Sequence, residues 1–144
     1  METVLISGGL IAQILLIVGT LVFGLFGAIH LMYTFFSNKF EAFDSDVTEA
    51  MNTSSLIITK ETTIWKAWLG FNASHSLGMM IVPAIYIPLT LSHFNIIQQS
   101  AWLTMLPVLI GMSYLALAKK YWFKIPFVGI FISTLCFIGA AVSI

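Results

Sequence analysis

The sequence predicts an all-α fold, an integral membrane four-helix bundle with a short cytoplasmic amphipathic helix in its first loop, and three observations carry that prediction. Of 144 residues, 59% are hydrophobic and 8% charged, where soluble domains run at roughly 45–50% and about 25%. Charge-free apolar stretches recur, each at least as long as the about 20 residues that a helical crossing needs. All six lysines and all six acids lie outside those stretches. The length has room for four crossings and no large soluble domain, so residues 1–144 read as a single transmembrane domain.

The first apolar stretch carries no charge between Glu2 and Lys39, which exceeds one crossing. Ser7, Gly8 and Gly9 are poor helix formers, so the regular helix is expected to begin near Leu10 and to cover 10–36, about 40 Å at ~1.5 Å per residue. A cleaved signal peptide fits less well. Met1-Glu2-Thr3 lacks a basic start, and the apolar run far exceeds the roughly 7–15 residues of a signal core.

In the loop that follows, Phe36, Phe40, Phe43, Val47 and Met51 recur at steps of three and four, the spacing of one helical face. This predicts an amphipathic helix whose apolar side rests on the membrane surface or on the end of the bundle. Asp46 and Glu49 have the spacing of a capping box, so a break is expected near residues 43–45 with a short helix starting at Val47.

The next charge-free stretch, 67–118, suits two spans and a short connection. Its one polar interruption, 92–100, is the expected turn, leaving spans at 68–91 and 101–118. After Lys119, Lys120 and Lys124 comes a fourth span at 125–144, with Pro126 in its first turn, where a missing N–H costs little.

Four spans put the first and third loops on one side and both termini on the other. Lys39, Lys60 and Lys66 fall in the first loop and Lys119, Lys120 and Lys124 in the third. By the positive-inside rule that side is cytoplasmic and both termini are non-cytoplasmic. Trp65, Trp68, Tyr121 and Trp122 flank the lysines and Trp102 stands near the opposite boundary, as amphipathic rings do at headgroup depth. The sequons at Asn52 and Asn72 are then out of reach of glycosylation, one in the cytoplasm and one inside a span.

The chain has no arginine and no net charge, so nucleic-acid binding lacks an electrostatic basis. The lipid bilayer is the expected partner, with a hydrophobic small molecule as a candidate second one. The lone Cys136 cannot form an internal disulfide. It belongs to a stripe on span four with Gly129, Ser133, Ala140 and Ser143, a small-residue face that lets helices approach closely and also permits a homo-oligomer. No charged residue lies inside a span, which weighs against a carboxylate-driven ion-coupled transporter.

Histidine is what remains for chemistry. His30 lies about seven residues before the end of span one and His75 about as far after the start of span two, so an antiparallel hairpin brings both to similar depth. At 100° per residue, Trp68, Asn72, His75, Met79, Val82 and Tyr86 share one stripe. Span one offers a face of Gly9, Gln13, Thr20, Gly24, Gly27 and Thr34 with His30 beside it. An imidazole turned to lipid would strand a polar N–H, so both rings are expected to face inward. Pro83 and Pro88 free the carbonyls of Met79 and Ala84, and a kink beside Gly24, Gly27 and Gly78 is expected to open a cavity. The candidate ligand pocket is therefore His30, Asn72, His75, Met79 and Tyr86.

The block from Trp65 to Gly78, with Gly70-Phe71-Asn72 followed by His75, resembles a stretch in an uncharacterised family of small four-helix bacterial membrane proteins. The resemblance implies a bacterial cytoplasmic membrane and a four-helix fold, and it implies no activity.

Three readings of the histidines stay open at the level of sequence. They bind the polar end of an amphipathic or lipid-like molecule. Alternatively they are interhelical hydrogen-bond glue, worth about 0.6 kcal/mol per contact. As a third reading they ligate a b-type haem from both sides. Catalysis has little to stand on: Ser74 and Ser76 beside His75 lack a carboxylate in the span, and His93 falls in the opposite turn, some 27 Å of helix from His75.

Overall fold

The computed structural model describes residues 2–144, with side chains from Gly8 onward. It is all-α apart from one small hairpin: α1 (Glu2–Phe36), α2 (Ser45–Thr53), β1 (Ser55–Leu56), β2 (Thr59–Thr63), α3 (Ile64–Ser92), α4 (Phe94–Gln99), α5 (Ala101–Tyr121) and α6 (Lys124–Ser143). Four stretches, Gly8–Phe36, Ile64–Ser92, Ala101–Tyr121 and Lys124–Ser143, are long and apolar enough to cross a membrane. These are the four stretches read from the sequence, with differences at their ends and in their connections; α3 starts at Ile64 rather than 68 and α5 runs on to Tyr121 rather than 118.

Helix α1 does not wait for Leu10; it runs through Ser7, Gly8 and Gly9 from Glu2. Gly8 serves packing rather than breaking the helix, since a Cβ there would stand 3.1 Å from the Ser143 carbonyl oxygen. The 92–100 connection is not a plain turn. It holds the six-residue α4, whose Ile97 is fully buried. Ser100 then caps α5 by accepting from the Leu103 N–H at 3.3 Å. Helix α2 begins at Ser45, two residues before Val47, because the carboxylate of Asp44 accepts the Asp46 N–H at 3.0 Å. The cap is Asp44, and the expected box at Asp46 and Glu49 does not form it.

The chain divides into two compact units. The first comprises the described residues up to Phe26 together with Met79–Ile144, and the second is Gly27–Gly78.

The first unit holds the apolar core. Ala12, Leu16 and Phe23 of α1, Met79, Val82 and Tyr86 of α3, Ile97 of α4, Ala118 of α5, and Ile130, Phe137 and Ala140 of α6 are all buried. Phe23 packs edge-on to Tyr114 at 5.1 Å and to Phe137 at 6.1 Å between ring centroids, the arrangement that ring quadrupoles favour. Close approach rests on glycines: a Cβ on Gly111 would stand 2.7 Å from the Thr134 hydroxyl, and one on Gly129 would enter the Phe26 ring. Gly129, Ser133 and Ala140 of the small-residue stripe are thus buried inside this unit.

The second unit is built differently. Its buried polar residues are Thr34, Asn72 and Ser76, all on the ends of α1 and α3 that it contains. The loop and α2 lie outside any core, and no residue of α2 is buried. The hairpin, like α4, is an element that the sequence pattern did not predict. β1 and β2 pair antiparallel with Leu56 opposite Thr59 and Ser55 opposite Thr63, and the Ile64 N–H donates to the Ser54 carbonyl at 2.9 Å. The β-branched run Ile57, Ile58, Thr59, Thr62, Thr63 favours strand locally, but it is too short and irregular to stand out as an alternation.

Candidate functional site

The polar stripe read from the sequence meets its partner inside the second unit. His30 of α1 lies beside Asn72 and His75 of α3. The His30 Nε2 is 3.0 Å from the Asn72 Oδ1, and the two imidazole centroids stand 5.4 Å apart with planes tilted by 58°.

The surrounding bonds fix the chemistry of that contact. Asn72 spends its Nδ2 on the Trp68 carbonyl at 2.8 Å, so its amide cannot flip without setting two oxygens against each other. Its Oδ1 therefore faces His30 as an acceptor, and His30 must donate through a protonated Nε2. Behind these groups, Thr34 donates its hydroxyl to the His30 carbonyl at 2.8 Å and Ser76 donates to the Asn72 carbonyl at 2.9 Å. Each helix thus buries a hydroxyl four residues beyond its polar side chain. Both hydroxyls are thereby satisfied within their own helices, as buried polar groups generally are.

Two further residues complete the cluster. The Phe40 ring stands 4.5 Å from the His30 ring, centroid to centroid, and the Phe40 carbonyl accepts from the Trp68 Nε1 at 3.2 Å. From sequence, Phe40 belonged to an interfacial face and Trp68 to the headgroup anchors. Trp68 did lie on the stripe of Asn72 and His75, which was the available signal. Phe40 carried none, because loop geometry brings it to His30.

The expected pocket also included two residues further along α3. Met79 and Tyr86 belong to the first unit and are buried in its core, 1% and 3% exposed. The Tyr86 hydroxyl donates to the Leu103 carbonyl at 2.8 Å. That carbonyl is available for a definite reason: its helical partner would be the N–H of residue 107, which is Pro107 and has none. At Gly24, one of the three glycines beside which a cavity was expected, the space is filled, because a Cβ there would stand 2.5 Å from Pro83 Cγ. The proline ring occupies the space that the glycine leaves.

Two surface cavities are found elsewhere. One of about 720 Å³ in the second unit is lined by Asn38, Glu41, Ala42, Phe43, Ser45, Thr48, Glu49 and Asn52. The other, about 380 Å³ in the first unit, is lined by Ala84, Ile85, Pro88, Leu89, Ser92 and His93. Neither touches His30, Asn72 or His75. Among the described residues no group of three or more His, Cys, Asp or Glu is placed to hold a metal ion.

The arrangement can therefore tie two helix segments together through one directional bond and a ring contact. Both imidazoles are half-buried, which leaves part of each ring within reach of its surroundings. Comparison of the chain with models of protein families, with curated proteins and with solved structures finds no match.

Proposed function

We propose that the chain is a multi-pass protein of the bacterial cytoplasmic membrane, with its lysine-bearing loops in the cytoplasm and both termini on the opposite side, and that His30, Asn72 and His75 are a polar lock within it. Four apolar helices of crossing length support the membrane reading. The lysine placement supports its orientation, since all six fall in the first and third of the three connections or at their helix ends. The resemblance of the Trp65 to Gly78 block to small four-helix bacterial membrane proteins agrees with it.

The observation that carries the lock is the 3.0 Å bond between His30 and Asn72, with the rings in contact. A site awaiting a ligand between the histidines would hold them apart around a gap, whereas here His30 bonds directly to Asn72 and the two rings lie together. The role that fits is structural: a membrane protein, or a subunit of a membrane complex, whose hairpin is registered by a polar contact. A second reading, in which the polar end of an amphipathic molecule meets the cluster, draws on the half-exposed imidazole faces.

Two measurements test this. A C-terminal alkaline phosphatase fusion is expected to be active and a C-terminal green fluorescent fusion dark; the reverse pattern would overturn the orientation. A double-mutant cycle with His30→Ala and Asn72→Ala is expected to give a coupling of about 0.6–1.7 kcal/mol, the range of interhelical hydrogen bonds in a bilayer. Strictly additive losses would remove the lock. Co-purifying lipid that disappears in both variants would favour the second reading.

A further inference from the structure

The lock is covered on one side by the loop that follows α1, and four contacts close into a circuit. His30 donates to Asn72, Asn72 donates to the Trp68 carbonyl, the Trp68 indole donates to the Phe40 carbonyl, and the Phe40 ring returns to lie on the His30 ring. Three of the members sit on helices. Phe40 alone sits on irregular chain between Phe36 and Ser45.

We propose that Phe40 and Trp68 form a latch over the His30 imidazole, so that access of water-borne reagents and ligands to His30 is governed by the loop of residues 37–43. This goes beyond the structural role of the lock, and it does not depend on which side of a bilayer the loop faces.

The loop is held so that it can open without disturbing the helices. Its other hydrogen bonds are local or reach only α2: Lys39 N–H to the Ser37 hydroxyl at 3.3 Å, Glu41 N–H to the Asn38 carbonyl at 3.1 Å, and Ala42 N–H to the Thr48 hydroxyl at 3.2 Å. Breaking the indole bond and the ring contact frees Phe40 while these persist. Space for movement is at hand, because the cavity of about 720 Å³ is lined by Glu41, Ala42 and Phe43 of the loop region together with Thr48 and Glu49 of α2. Phe43 is wholly exposed, so displacing the loop dismantles no packing at its far end. The two contacts at Phe40 are of different kinds, one through its backbone and one through its ring. Either can therefore be removed by itself.

Diethyl pyrocarbonate, which acylates neutral imidazole, reads the latch directly in the full-length protein. His93 is exposed and lies in the other unit, so it serves as the internal reference when modification is mapped by mass spectrometry. Trp68→Phe removes the indole donor while keeping an aromatic ring at that position, and Phe40→Ala removes the ring while keeping the backbone acceptor. Each is expected to raise the rate at His30 relative to His93 by about fivefold, the shift in open population when one neutral hydrogen bond or its equivalent is lost. Helix content by circular dichroism is expected to stay at the wild-type level. An unchanged His30 to His93 ratio in Trp68→Phe overturns the latch. So does a wild-type ratio already equal to that of the variants. If Phe40→Ala loses helix content, Trp68→Phe alone decides.

Discussion

Replacing Tyr86 by phenylalanine removes one hydroxyl group and keeps the ring that fills the core, so it isolates one bond. The acceptor of that bond, the Leu103 carbonyl, has no helical donor because Pro107 stands four residues ahead. The hydroxyl lies 2.8 Å from it. Tyr86 is 3% exposed, so water is poorly placed to take over when the hydroxyl goes. A neutral hydrogen bond contributes about 0.5–1.5 kcal/mol net, and a buried acceptor left unsatisfied costs about 1–3 kcal/mol. Interhelical bonds in a bilayer average about 0.6 kcal/mol and reach about 1.7. Taken together, Tyr86→Phe is expected to cost about 1–2 kcal/mol. The control is Pro107→Ala, which restores an N–H to position 107 and lets the Leu103 carbonyl bond within its own helix. In that background Tyr86→Phe is expected to cost about half as much or less, because the carbonyl is no longer stranded. Reversible unfolding in mixed micelles, run as a double-mutant cycle, measures both penalties, and any packing lost with the proline cancels. Equal penalties in the two backgrounds would refute the reasoning that the tyrosine exists to satisfy a proline-freed carbonyl.

Gly129→Ala would press a methyl group into the Phe26 ring, for an expected loss of about 1–3 kcal/mol by overpacking. In a Phe26→Leu background most of that loss is expected to vanish; a thermal unfolding midpoint unchanged by Gly129→Ala alone would contradict the contact. Asp44→Ala removes the N-cap of α2 and is expected to destabilise that helix by about 1 kcal/mol. Faster amide exchange at Asp46, with exchange in α5 and α6 unaltered, is the signature to look for.

The four long helices were legible because their signal accumulates over some twenty residues, and a single glycine or serine does not cancel it. Their ends were less so. Gly8 reads as a helix breaker by propensity, yet it lies within α1 at a close approach to the Ser143 carbonyl. Asp44 and Asp46 are both suitable caps, and only the path of the loop selects Asp44. The histidine pair was legible in part: helical spacing put Asn72 and His75 on one face, and antiparallel connection set His30 at matching height. Tyr86 shares that face in projection, but it lies three turns further along α3, where Leu103 claims its hydroxyl. The small residues of α6 were recognised as a packing face. Their partner, the Phe26 ring against Gly129, was not recognisable from spacing.

Sequence alone determined that this chain makes four long apolar helices with its lysines gathered at or beyond their ends, because hydrophobicity and charge add residue by residue whatever the neighbours are. Tertiary structure alone decided that His30 bonds to Asn72, that the Phe40 ring lies against His30, and that Pro83 fills the space beside Gly24. Those contacts turn on ångström-scale rotation of helices and on the course of a loop. Hydrogen bonds and close packing are directional and short in range, so no periodicity in the chain encodes them.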